Sequence, residues 1–425
     1  MDKRFLNLFA LTEDEAIALL DTPLAQLAED DSRYVAAAQL AAFPSEAAVN
    51  ALIRAVQKTE DILDNRITRR KAIESLGKLK AKQALPIISD CLTDDDRYTV
   101  EVTVWAIGEM GTQDAEILEA VAQLLEQPNQ TYRVIIHTLA NLEYVPALAR
   151  IRPFVEAEDE PTAIAAVSAV CRFTGDYAAM ENVVALLQSD NINARRGCLQ
   201  DLIDARYYDA IPAIARCPIS LVFRLRAIRT LAQLGIAAGT LTFADVQSSL
   251  EQALIDHPDT LTLVHEYDQP PALAFAIREL YQTDFGRCYL ATKTLLARYA
   301  DELPAALFDT YESEAHNDYG AHYHVVKLFG WLKHQPAYDF LVKALHNPLP
   351  QFQKSRAAAA LALGELGDRR AISELVRCLD TPIWSLKYAT LIALDKLGDN
   401  NASRLVEDSD WAVRAKAATL VPSTI

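Results

Sequence analysis

Apolar residues along this chain return every three to four positions, the spacing of one face of an α-helix, and no stretch reads as the two-residue alternation of a half-buried strand. Many of the helical stretches close in the same tetrad, apolar, small or polar, polar, apolar. It appears as LGKL at 76–79, IGEM at 107–110, LANL at 139–142, LAQL at 231–234, LGEL at 363–366 and LDKL at 394–397. The tetrads recur at about 31 to 34 residues, a period that marks a stacked helical solenoid. The long interval from Leu231 to Leu363 divides into four similar steps when Leu263, Leu296 and Phe329 are taken as degenerate anchors.

A turn follows the tetrad, often Gly-Asp or Gly-Thr, as at 111–112, 175–176, 367–368 and 398–399. Glycine there supplies the left-handed residue that closes a helix. A second helix comes next, such as AISELVRCL from Ala371 to Leu379. One such pair cannot bury its apolar stripe alone, so the pattern predicts an all-α array of antiparallel helix pairs, wound into a right-handed superhelix with a concave inner surface. Residues 1–31 read as an N-terminal helical cap, with Thr12 and Glu15 forming a capping box. Residues 32–425 read as one continuous array whose repeats are degenerate at about 240–345.

Composition narrows the function. With 41 Lys and Arg against 58 Asp and Glu, the net charge of −17 repels a phosphate backbone, so nucleic acid is not an expected partner. No apolar run is long enough to span a membrane and the N-terminus lacks a signal-peptide pattern, so a soluble, cytoplasmic protein is expected. The six cysteines are scattered without a C-x-x-C pair, which argues for buried apolar packing rather than a zinc site or disulfide framework. No glycine-rich nucleotide loop is present among the 13 glycines.

Chemistry concentrates between Asn317 and Lys333, NDYGAHYHVVKLFGWLK. His322 and His324 within it, with His316 just before and His334 just after, account for half of the chain's eight histidines, joined by Tyr319, Tyr323 and Trp331. Asp318 stands at a helix N-cap position. On the helix that follows, Tyr319 and His322 are three apart and are expected to share a face. His322 lies seven residues before the anchor Phe329, and Arg356 lies seven before Leu363. Arg70 and Arg133 lie six before Leu76 and Leu139. The plain reading of these residues is capping, packing and, for most repeat arginines, bridges to acidic turns of the next repeat.

The repeat unit, clearest in RAAAALALGELGDRRAISELVRCL from Arg356 to Leu379, resembles the HEAT repeat of phycobilin lyases of the E/F type. SRYVAAAQL, NRITRRKAIESLGKLKA, YTVEVTVWAIGEMGTQD and QPNQTYRVIIHTLA, beginning at Ser32, Asn65, Tyr98 and Gln127, are similar to the long single-chain, phycoerythrin-specific branch of that family. The resemblance extends over nearly the whole chain. It implies a lyase that joins an open-chain tetrapyrrole, phycoerythrobilin, by a thioether to a cysteine of a phycoerythrin subunit, the α subunit in the first instance. Some members also isomerise the bilin to phycourobilin. No cofactor is expected, since the bilin is the substrate, and a second lyase or chaperone-like chain is a candidate partner.

Within that chemistry Asp318, Tyr319 and His322 are the candidate catalytic residues. A carboxylate beside the pyrrole nitrogens favours the protonated, more electrophilic bilin, and isomerisation needs an acid and a base on facing positions. Tyr323, Arg70, Arg133 and Arg356 are the candidate bilin-binding residues, the arginines as a positive inner rim for the two propionates. Two other classes compete. A non-catalytic HEAT-repeat interaction scaffold would use the same cluster as a protein-binding surface. A metal-dependent hydroxylase on such repeats would need several His-Glu dipeptides, and only His265-Glu266 has that form.

Overall fold

The computed structural model describes residues 11–421, and every regular element among them is helical. The chain divides into two compact units, 1–180 and 181–425. The first ten residues of the expected N-terminal cap lie outside the described residues. Its helix α1 (Glu13–Asp21) starts at Thr12 through the expected box: the Thr12 N–H donates to Glu15 Oε2 at 2.8 Å, and the Glu15 N–H donates to Thr12 Oγ1 at 3.4 Å.

In the first unit the long helices α2 (Arg33–Leu40), α3 (Leu63–Lys78), α4 (Arg97–Met110), α5 (Tyr132–Asn141) and α6 (Glu160–Thr174) pack side by side in chain order. Second helices of the pairs, such as Glu46–Val56 and Ala115–Gln123, connect them. The tetrads at 76–79, 107–110 and 139–142 close α3, α4 and α5, and Gly111 and Gly175 end α4 and α6 at positive φ. Arginines tie each repeat to the next. Arg33 Nε donates to Asp64 at 2.8 Å, Arg69 pairs with Asp94 and caps the Val56 carbonyl at 2.9 Å, and Arg70 Nε donates to Asp96 at 2.7 Å.

The second unit holds α7 (Ile192–Asp204), α8 (Leu221–Ala237), α9 (Phe243–Ile255), α10 (Phe285–Arg298), α11 (Tyr319–Trp331), α12 (Gln353–Leu366), α13 (Trp384–Lys396) and α14 (Trp411–Leu420). From α10 to α14 the long helices again stack in order. The small second residue of the tetrad has a physical reason. A Cβ on Gly330 would lie 2.6 Å from Ala362 Cβ and 2.7 Å from its Cα, and one on Gly364 would lie 2.9 Å from Ala393 Cα. These are the points where neighbouring long helices touch through their backbones. Replacing Gly330 by Ala is therefore expected to lower stability, because an overpacking cost of up to about 3 kcal/mol exceeds the roughly 1 kcal/mol gained in helix propensity. A melting temperature several degrees below that of the parent checks this, and an unchanged one contradicts it.

The evenly stepped ladder expected between Leu231 and Leu363 is not what forms. Leu263 lies outside any helix, in an irregular connection from 261 to 272 that His265 and Thr262 pin in place. The Thr262 N–H donates to the Arg216 carbonyl at 2.9 Å, and His265 Nε2 lies 2.8 Å from Asp284 Oδ2. Helix α9 packs not only on α8 but also on α12 and α14. Glu251 on α9 accepts from Lys416 at 2.9 Å and from Tyr388 at 3.3 Å, and Arg229 on α8 pairs with Asp410. A solenoid that only stacks neighbours would never bring residues 229 and 410 together. In the second unit α9 leaves the pair register and lies against the long helices that follow, so positions there expected to face an open inner surface are covered.

Candidate functional site

The cluster between Asn317 and Lys333 forms the start and body of α11, and the structure separates its members into exposed and buried. Asp318 is the N-cap: its Oδ1 accepts from the Gly320 N–H at 2.8 Å and the Ala321 N–H at 2.7 Å. Its second oxygen, Oδ2, makes no hydrogen bond among the described residues. Tyr319 is 55% exposed. His322, expected to share an accessible face with it, is 1% exposed instead. Its ring packs between Phe352, at 4.5 Å, and Tyr311, at 5.6 Å, and burial lowers its pKa to about 4. His322 is therefore neutral. With Tyr311, Asp339, Lys343 and His346 it lines a cleft of about 470 Å³.

Beneath Tyr319 the helix carries a buried polar network. Asp256, left-handed at the end of α9 with φ 54°, pairs with Arg224, and both side chains are fully buried. Tyr289 donates to Asp256 Oδ2 at 2.9 Å, and Tyr323 donates to the same oxygen. Arg224 also donates to the carbonyls of Ile219, at 3.1 Å, and Ala215, at 3.0 Å. Burial pushes both tyrosine hydroxyls well above their ordinary pKa, and the Asp256 carboxylate adds to the effect. Lys327, one turn on from Tyr323, caps the last carbonyls of α9, Leu254 at 3.1 Å and Ile255 at 2.5 Å, where the helix dipole favours a cation. Tyr323, expected to bind ligand, is thus 1% exposed and serves to lock α9 to α11.

Lys354, in the first turn of α12, completes this corner. Its ammonium lies 4.4 Å from the ring centre of Phe285, 4.8 Å from that of Tyr319 and 5.1 Å from that of Tyr323. Burial lowers its pKa to about 8, against the opposing pull of acidic neighbours that include Asp256 and Asp318. Sequence reasoning passed over Lys354 because a lone lysine at a helix start carries no motif. The available signal was its position one repeat beyond Tyr319.

The arginines expected to form a positive rim are engaged elsewhere. Arg356 Nε donates to the Leu345 carbonyl at 2.9 Å, Arg133 Nη1 donates to the Pro161 carbonyl, and Arg70 pairs with Asp96. Arg70 nonetheless borders a cleft of the first unit, about 490 Å³ across α2 to α5, with Tyr34, Lys71, Glu74, Tyr98 and Trp105. Its guanidinium stacks 5.0 Å from the Tyr98 ring, and Lys71, paired to Glu74, lies 4.9 Å from that of Tyr34. The volume suits a small molecule, and both cations are already compensated. Among the described residues no group of three or more His, Cys, Asp or Glu is placed to hold a metal ion, and His265 is spent on Asp284. No helix among them is long and apolar enough to cross a membrane.

Helix pairs stacked through small tetrad residues and tied by arginine bridges define a HEAT-repeat protein, and a profile of HEAT repeats matches residues 20–108, 56–140 and 338–421. The chain is 57% identical over 417 residues to an uncharacterized phycocyanin operon protein Y of Pseudanabaena tenuis, across 98% of this chain and 99% of that one. It is 34% identical over 384 residues to the bilin biosynthesis protein CpeY of a Synechococcus species, across 87% and 91%. The solved complex of CpcE and CpcF of phycocyanin lyase from a Nostoc species superposes with a TM-score of 0.51 at 27% identity, covering 57% of this chain and 95% of the matched chain. The chain belongs to the HEAT-repeat bilin lyase family.

Proposed function

We propose that this protein attaches phycoerythrobilin through a thioether to a cysteine of a phycoerythrin subunit, the α subunit first. The observation that carries this reading is the similarity, over nearly the full length, to a protein named for bilin biosynthesis. The corner at the start of α11 supports it with suitable chemistry. Asp318 Oδ2 is a free carboxylate oxygen beside an exposed phenol, able to accept from the pyrrole N–H groups of a bound bilin and to hold it protonated. A thiolate then adds to the exocyclic ethylidene carbon of ring A, the C–S bond forms, and the ring carbon next to it takes up a proton. Nothing leaves. Tyr319, exposed at the same helix start, would donate or relay that proton, and the same pair would serve isomerisation to phycourobilin, which the absorption of the product reports. The neutral, enclosed His322 acts on this corner through packing.

The thiolate comes from the acceptor protein. All six cysteines of this chain are buried, and burial pushes the thiols of Cys217 and Cys288 up to about 12. Single Cys-to-Ser variants are therefore expected to keep attaching bilin while losing on the order of 1–3 kcal/mol of stability where the new hydroxyl is buried without a partner. A folded Ser variant that transfers no chromophore would point instead to a covalent intermediate on this chain. The structural relative is a complex of two chains, which supports a second lyase or chaperone-like chain as a partner here. Mixing the purified protein with phycoerythrobilin tests the reading against that of a scaffold: a bilin lyase shifts and sharpens the visible absorption, and a scaffold leaves it unchanged.

A further inference from the structure

Three cationic side chains lie at the corner beneath Tyr319, and two are spent. Arg224 is held by Asp256 and two carbonyls, and Lys327 by the carbonyls of Leu254 and Ile255. Lys354 makes no hydrogen bond or ion pair among the described residues. It has three aromatic faces instead, those of Phe285, Tyr319 and Tyr323, all within 5.1 Å of its ammonium. Aromatic faces attract a cation through their quadrupole but offer no lone pair along an N–H direction. The three N–H donors of this ammonium are thus unengaged, next to a tyrosine that is 55% exposed.

We propose that Lys354 is the recognition group for a carboxylate arm of the ligand, a propionate of the linear tetrapyrrole, with Phe285 and Tyr319 alongside as aromatic walls. The inference rests on the reading of the chain as a phycobilin lyase and adds an orientation to it. Asp318 Oδ2 repels a carboxylate and takes pyrrole N–H groups, whereas Lys354, one repeat further on, takes the carboxylate. The two residues together allow one placement of the tetrapyrrole across the start of α11. Tyr323 and Asp256 keep the corner rigid from below.

The test is an absorption titration of the parent protein, Lys354→Met and Lys354→Arg with phycoerythrobilin as the free acid and as its dimethyl ester. A charge-assisted hydrogen bond lost from a partly buried site lowers affinity about tenfold or more. The expected result is that K354M binds the free acid at least about tenfold more weakly than the parent, that K354R recovers most of the loss, and that esterification weakens binding to the parent but not to K354M. Lys354→Gln serves in the same comparison if K354M does not fold. Equal affinity of parent and K354M for the free acid, or an equal response of both to esterification, overturns the assignment of Lys354 alone. A parent protein that binds neither form overturns the phycobilin reading and this inference with it.

Discussion

Replacing Asp318 by Asn is expected to leave the protein folded with nearly its original melting temperature and to reduce bilin attachment about a hundredfold or more. The two effects separate because the two carboxylate oxygens have different work. Oδ1 caps α11 by accepting from the Gly320 and Ala321 N–H groups, and an Asn side-chain oxygen does this as well as an Asp oxygen. Oδ2 has no partner among the described residues, and in the proposed function the charge it shares would hold a bilin protonated. Asn removes that charge and keeps the cap. Attachment is measured as chromophorylated subunit per folded enzyme, next to a melting curve for each variant. Attachment by D318N at the parent rate would return Asp318 to the role of a cap.

Replacing Asp256 by Asn should do the reverse, with a large loss of stability. The side chain stays close in shape, and Asn tolerates the left-handed backbone at φ 54° as readily as Asp. The Arg224 charge, however, is then left fully buried with only carbonyl and phenol partners. Breaking a buried ion pair by neutralising one member costs about 3–5 kcal/mol. For a unit of this size that corresponds to a drop on the order of 10 °C in melting temperature. The variant that also replaces Arg224 by Met should recover part of the loss, since removing both charges relieves the unpaired one. A D256N protein that melts within a degree or two of the parent would show that the network of Arg224, Tyr289, Tyr323 and Asp256 does not hold α9 against α11.

The repeat architecture was legible because it rests on local rules. The tetrad ends a helix, its small second residue lets the next helix approach, and Gly111, Gly175, Gly367 and Gly398 close helices at positive φ as the Gly-Asp and Gly-Thr turns predict. Asp318 was legible as an N-cap for the same reason. What the pattern could not convey was tertiary. Thr242 and Asp245 form a capping box that opens α9, but nothing local says that this helix swings against α12 and α14. Equal steps of about one repeat therefore placed an anchor at Leu263, where no helix exists. Burial of His322 and Tyr323 was equally hidden, since a histidine or tyrosine reads the same in sequence on either side of a helix. The reading of most repeat arginines as bridges to acidic turns of the next repeat is met by Arg33 with Asp64, 31 apart, and by Arg224 with Asp256, 32 apart. Lys354 has no acidic residue at that spacing.

Co-expression of this chain with a phycoerythrobilin-synthesis pathway and single phycoerythrin subunits, followed by mapping of the chromophore-bearing peptide, tests the central claim most directly. The account predicts a subunit, the α subunit first, that carries bilin on one cysteine through a bond that survives denaturation, while this chain itself carries none. Subunits that emerge without covalent bilin whether or not the chain is present, under conditions where the chain is folded and bilin is made, would contradict it.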